Sequence, residues 1–180
     1  MLVLIFFLGV ISWTLTEYLL HRFLGHVHKG KNFFKAEHLQ HHSKANYFAS
    51  FYKKGLLAFV VSAVLVAVLS LFTSVVIASV FAIGFASMYS VYEMMHFRFH
   101  SKDPIAKPFI ILRKHHFYHH FHNPKTNMGL TTRFWDRVFG TCKRVEQVNV
   151  PMQMSMQWLL EDGEIKDAYT PHFRISGRQN

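Results

Sequence analysis

The feature that most constrains this chain is the stretch from Gly55 to Tyr92, 38 residues without an acid, a base or a histidine. As one helix it would be about 57 Å long, nearly twice the roughly 30 Å of a hydrocarbon core. A helical hairpin resolves the mismatch. One helix is predicted near Leu56–Leu71, a tight turn at Phe72-Thr73-Ser74, and a return helix near Val75–Tyr92. A second apolar run, Met1–Leu20, is interrupted only by Ser12, Thr14, Thr16 and Glu17 and has the length of one crossing. It lacks the basic start and small-residue cleavage site of a secretory leader, so it reads as a retained helix. The predicted fold class is therefore an all-α integral membrane protein, one crossing plus a hairpin, in a single domain over residues 1–180.

Charge sets the expected sidedness. Of twenty Lys and Arg, seven fall between Arg22 and Lys54, ten between Arg98 and Arg144, and three in the tail, with none at the hairpin turn. Three crossings put both basic segments on one side, which the positive-inside rule makes cytoplasmic. A His-rich helical cap over residues 21–54 and 93–145, with a tail over 146–180, would then sit on the inner membrane of a bacterium or the endoplasmic reticulum of a eukaryote. The formal charge of +10 suits a nucleic-acid binder in isolation, but the two long apolar runs argue for a membrane and no nucleic-acid partner. A lone cysteine, Cys142, rules out a disulfide scaffold within the chain. Beyond the hairpin, Phe109–His122 reads as an interfacial helix carrying Arg113 and Lys114, and Thr131 or Thr132 as the cap of a short helix that Gly140 stops. The apolar members of that short helix, Phe134, Trp135, Val138 and Phe139, are expected against the membrane-facing floor.

Thirteen of fourteen histidines lie in two windows, His21–His42 and His96–His122, on the basic side of the hairpin. Residues three and four apart share a helix face, so His38/His41/His42, His96/His100 and His116/His119/His120 each present imidazoles together. His21 and His26 are five apart and share a face only if the first helix ends or bulges near Leu24-Gly25. With these two, ten imidazoles are available, more than one metal accepts, which points to two ions in a shared site. Glu17, Glu93 and Asp103 lie one turn from His21, His96 and His100, placed to accept the second ring N–H and offset charge. Glu93-x-x-His96 also has the spacing of carboxylate-bridged dimetal bundles, so direct ligation by Glu93 stays open. His28, His115, His122 and His172 fall outside the pattern, although His115 and His116 both reach His119 along the helix. Tyr18, Tyr92 and Tyr118 occupy positions common for interfacial aromatics.

The blocks HRFLGH (His21–His26), HLQHH (His38–His42), HFRFH (His96–His100) and HFYHH (His116–His120), followed by TTRFWDRVFGT (Thr131–Thr141), resemble the fatty acid hydroxylase and sterol desaturase superfamily over roughly Trp13 to Thr141. The resemblance implies an integral membrane di-iron oxygenase that uses dioxygen and outside electrons to hydroxylate or desaturate a lipid C–H position. It maps His21, His26, His38, His41, His42, His96, His100, His116, His119 and His120 onto the metal-binding histidines and takes His116 over His115. Two iron ions are the implied cofactor, zinc being a substitute in isolated protein but lacking the redox chemistry that dioxygen requires. The expected partners are a membrane lipid and an external donor, a reductase with a ferredoxin or cytochrome b5-type protein. Arg133, Arg137, Lys143 and Arg144 are candidates for the donor's docking surface or for lipid headgroups. Fatty acid 2-hydroxylases often carry a fused cytochrome-type domain and a further transmembrane hairpin, for which 180 residues leave no room.

A carotenoid hydroxylase shares the four boxes, but the FWDRVFGT element favours the fatty acid and sterol branch. A metal transporter or storage protein would place liganding groups along a transmembrane path. Gly55–Tyr92 has none.

Overall fold

The computed structural model describes residues 1–101 and 106–177, with backbone alone at Lys107 and Pro108. It is mainly helical. Helix α1 (Leu2–Leu19) runs directly into a π-helical segment (Leu20–Val27), followed by α2 (Phe33–Ser43), α3 (Phe51–Leu69), α4 (Val75–Ser101), α5 (Lys107–Phe121) and the short α6 (Phe134–Val138). Three stretches are long and apolar enough to cross a membrane: Leu2–Val27, Phe51–Leu69 and Val75–Ser101. The turn between α3 and α4 falls at residues 70–74, on the expected Phe72-Thr73-Ser74. Both outer spans run farther than apolarity indicates. Residues 21–27 and 93–101 include histidines and arginines, and helix continues through them because side chains of either character keep the same backbone ladder.

The chain divides into two compact units, Met1–Glu17 with Ala49–Met94, and Tyr18–Phe48 with Met95–Asn180. The first holds most of the apolar helix. No residue of α3 is buried, and Phe59, Val60, Val64 and Val68 along it are exposed, an apolar surface suited to lipid rather than water. Within this unit α1 and α4 cross closely. Trp13 is buried edge-on against Phe85, with ring centroids 5.1 Å apart, and against Tyr89 at 4.9 Å. Glycines make the crossing possible, since a Cβ on Gly84 would lie 2.1 Å from the Phe6 carbonyl oxygen and one on Gly9 2.2 Å from that of Phe81. Gly84→Ala is accordingly expected to force the helices apart at a cost of about 1–3 kcal/mol. Thermal unfolding in detergent should show a lowered Tm, and an unchanged Tm would contradict the close approach.

The second unit holds the histidines. Residues 146–177, expected as a tail on an all-helical chain, carry strands: β1 (Val148–Pro151) pairs in parallel with β4 (Phe173–Ser176), and β2 (Leu160–Glu161) pairs antiparallel with β3 (Glu164–Ile165). The all-helical expectation is corrected there. Val148, Val150, Met156, Leu159 and Phe173 are buried, so alternating and clustered apolar residues in a short segment suffice for a small packed lobe. A second correction concerns α5. Arg113, placed by sequence on an interfacial face, is fully buried with its guanidinium 3.5 Å from the Trp158 ring centroid. At α6, Phe134, Val138 and Phe139 are exposed, and Phe139 stacks on Tyr18 with ring centroids 5.0 Å apart. The cap residue is Arg133, whose side chain makes no capping bond, rather than the expected Thr131 or Thr132, although Phe134 N–H donates to Thr132 Oγ1 at 3.1 Å.

Candidate metal centre

Two groups of five histidines form in the second unit. The first is His21, His26, His38, His42 and His119; the second is His41, His96, His100, His116 and His120. In each, one ring nitrogen per residue lies within 4.8 Å of all the others. The helical triplets do not stay together. On a 3.6-residue helix, i and i+4 diverge by only about 40°, whereas i+3 and i+4 diverge by about 100°. His38 and His42 therefore enter the first group while His41 turns to the second, and His116 and His120 enter the second while His119 turns to the first. Each of α2 and α5 serves both groups, which makes them neighbours: the rings of His42 and His120 stack 4.1 Å apart across the divide. His21 and His26 join one group through the π-helical Leu20–Val27, whose five-residue hydrogen-bond register stacks residues that an α-helix would splay. The segment does not end at Leu24-Gly25. It widens, and buried Gly25 sits where a Cβ would be 3.1 Å from the His38 ring.

The protonation pattern is decided by the second nitrogen of each ring. His119 Nδ1 meets the Thr126 carbonyl at 2.9 Å, His21 Nδ1 that of Met128 at 2.5 Å, and His41 Nδ1 that of Tyr47 at 2.7 Å. A carbonyl only accepts, so these three rings carry their proton on Nδ1 and, when neutral, present a bare lone pair at Nε2. Burial keeps five rings of the two groups neutral. It holds the His42 imidazole down to about 2, and those of His38, His116, His119 and His120 well below their ordinary value, with neighbouring imidazoles pushing the same way. Yet His21 Nε2 and His119 Nε2 face each other at 3.0 Å. Two bare lone pairs at that distance repel unless a cation lies between them. The spacing supports the same conclusion. Ligands at right angles on an ion with metal–nitrogen bonds of about 2.1 Å lie about 3.0 Å apart. The Nε2–Nε2 distances of 3.0 Å for His26–His119, 2.8 Å for His26–His38, 3.0 Å for His38–His42, 2.8 Å for His41–His96 and 2.9 Å for His100–His116 all match. Both nitrogens of His120 are buried with no hydrogen-bond partner in the protein. The residues fit a pair of divalent transition-metal ions.

The outer partners are mostly not the expected ones. The His21 ring proton assigned to Glu17 is held by the Met128 carbonyl. Glu93 belongs to neither group and pairs with Lys54 at 2.5 Å. Asp103 lies outside the described residues. The carboxylate that does support the site is Asp136 of α6, fully buried. It accepts the Met128 N–H at 2.8 Å, the Gly129 N–H at 2.8 Å, the Thr141 hydroxyl at 2.7 Å and the His115 Nε2–H at 2.9 Å. Burial opposes its ionisation, but the His115 and Thr141 hydrogen bonds and the Gly129 amide outweigh that and hold the carboxyl below its ordinary value. Met128 lies between Asp136 and His21: its N–H is fixed by one and its carbonyl fixes the other. His115 is thus a partner of Asp136 rather than of His119. A lone acid inside the apolar FWDRVF was the sequence signal for this role, whereas the Tyr47, Thr126 and Met128 carbonyls have no side-chain signature.

The sequence profile described as fatty acid hydroxylase matches residues 6–141. The chain belongs to that family. The matched stretch contains all ten clustered histidines and Asp136, so the centre is the part of the chain that the family shares. This hydroxylase-family chain is 31% identical over 144 residues to the fatty acid 2-hydroxylase of Rattus norvegicus, covering 76% of the chain and 39% of that protein. It is 34% identical over 146 residues to the ceramide very long chain fatty acid hydroxylase of Saccharomyces cerevisiae, covering 76% of the chain and 37% of the relative. A solved structure of full-length Scs7p, with only its hydroxylase domain visible, superposes with a TM-score of 0.62 at 30% identity, covering 78% of this chain and 55% of that one. The chain thus spans about two-fifths of these two relatives.

Proposed function

We propose that the chain is a membrane-bound, dioxygen-dependent lipid hydroxylase holding one iron ion in each histidine group and acting on the acyl chain of a fatty acid or ceramide-type lipid. The reading is carried by the facing bare nitrogens of His21 and His119 and by ligand spacing in both adjoining groups, inside the segment matched to the family. Five nitrogens per group exceed the four that a structural zinc takes, which favours iron. The acyl substrate comes from the names of the relatives, a fatty acid 2-hydroxylase and a ceramide hydroxylase. When bound, the iron pair supplies the redox chemistry that activates dioxygen for attack on a C–H bond.

The chain's own residues hold and shield that chemistry. Carbonyls of Tyr47, Thr126 and Met128 fix the tautomer and the tilt of His41, His119 and His21. Phe48 packs 5.2 Å from the His41 ring and 5.5 Å from that of His96, and Phe117 packs 5.1 Å from His100, so the second group is walled by phenylalanine and protected from water. The basic distribution supports a cytoplasmic histidine face. Exposed Arg137, Lys143 and Arg144 around α6, with Arg133, offer a docking surface for an acidic reductase-linked ferredoxin or cytochrome b5-type donor.

The test is lipid mass spectrometry on cells with and without the protein under 18O-labelled dioxygen, with His41→Ala alongside. A hydroxyl carrying the label, absent in His41→Ala, is the expected result. A new unlabelled double bond would replace hydroxylation by desaturation, and an unchanged lipid profile with no bound metal would overturn the reading.

A further inference from the structure

We propose that the C-terminal lobe braces the last described turn of α4, and that Trp158 and Arg113 are positioning residues that set His100 against His116. The inference rests on the second histidine group holding a metal. The last described turn of α4 carries the carbonyls of Arg98, Phe99, His100 and Ser101. Two of these are taken from elsewhere: Arg113 Nη2–H donates to the Arg98 carbonyl at 2.9 Å, and the Trp158 indole N–H donates to the His100 carbonyl at 2.9 Å. The same two side chains hold each other, with the guanidinium 3.5 Å above the indole ring.

A fully buried arginine is costly unless its charge meets compensating groups. Here it meets the Arg98 carbonyl and the face of the Trp158 ring. Arg113 precedes His116 by three residues on α5, so the bond to Arg98 also fixes how α5 registers against the helix carrying His96 and His100. The indole is itself wedged by Tyr169 at 5.1 Å and by Phe173 of β4 at 6.1 Å. A path of direct contacts therefore runs from the β1–β4 pair through Trp158 to the His100 main chain and on to His100 Nε2, 2.9 Å from His116 Nε2. This lobe lies beyond residues 6–141, the part matched to the family.

The experiment loads the full chain with ferrous iron in detergent and follows iron release to a ferrous chelator. Wild type should release two ions, and His119→Ala identifies the phase belonging to the first group. Trp158→Phe keeps the ring over Arg113 but removes the N–H. It should release the second-group ion on the order of tenfold faster and leave the other phase unchanged. Val148→Ala, which loosens the lobe without touching either bond, should lower Tm and speed release of the second-group ion less than Trp158→Phe does. Wild-type release of both ions from Trp158→Phe would overturn the proposal, as would equal acceleration by Val148→Ala. A wild-type chain that binds no metal would instead remove the reading on which it rests. Should Trp158→Phe fail to fold, 15N-indole spectra of wild type, assigned with Trp13→Phe and Trp135→Phe, provide the second arm. The Trp158 signal should shift as zinc is added, and a signal unmoved at saturation would overturn the proposal.

Discussion

His119→Ala is expected to purify with one metal ion instead of two and to yield no hydroxylated lipid. His119 is the hub of the first group, with Nε2 3.0 Å from the matching nitrogens of His21 and His26 and 3.1 Å from that of His42. Alanine removes a ligand outright, which is more severe than the 10–100-fold loss typical of changing an outer partner. It also leaves a void in α5, where the His119 ring is fully buried. His172→Ala is the control, since His172 lies in the tail outside both groups. Metal analysis of the purified variants checks the first expectation and lipid mass spectrometry the second. Two ions and undiminished product from His119→Ala would remove His119 from the centre.

The second large effect belongs to a residue that touches neither group. Asp136→Asn replaces an oxygen that accepts N–H groups by an amide that must turn its own donor toward Met128, Gly129 or His115. Breaking a buried ionic network of this kind costs about 3–5 kcal/mol, so Tm should fall by on the order of 10 °C. The Met128 carbonyl shifts with its own amide, His21 loses its anchor, and iron should leave the first group roughly tenfold faster. His115→Gln keeps a donor to Asp136 and should cost less. The pH dependence has a definite sign. Because the folded pKa of Asp136 is depressed, the ion contributes stability that is present above the ordinary carboxylate value of about 4 and is lost as pH falls through the lower folded value. Wild type should therefore lose this component only on strong acidification, while Asp136→Asn starts lower at neutral pH and shows a flatter acid limb. Denaturation followed between pH 7 and the acid limit decides it, and parallel curves would exclude a native carboxylate at this position.

Much of the fold was readable because it depends on local quantities. An uncharged run too long for one crossing dictates a hairpin, and the turn fell on Phe72-Thr73-Ser74. The i, i+4 spacing of His38/His42 and His116/His120 reflects helix geometry that no tertiary context alters. The five-residue gap of His21 and His26 signalled a departure from α geometry, and the chain meets it with a π segment. What failed were readings that assigned a residue its role from its chain neighbours. Glu17 lies one turn from His21, yet the ring proton goes to Met128, 107 residues away. Arg113 sits in a sequence typical of an interface, yet its charge meets the Arg98 carbonyl of α4 and an indole brought in from a separate part of the chain.

By itself, the sequence determined which residues could bind metal, on which helices they ride, and that the chain has membrane-length apolar helices. Only the tertiary structure decided how ten imidazoles divide into two sets of five, because that depends on which side of α2 and α5 each neighbouring helix packs. It also decided what holds those rings in place. Main-chain carbonyls carry no side-chain identity, so their selection as ring anchors can be seen only after the backbone has brought distant loops within hydrogen-bonding distance.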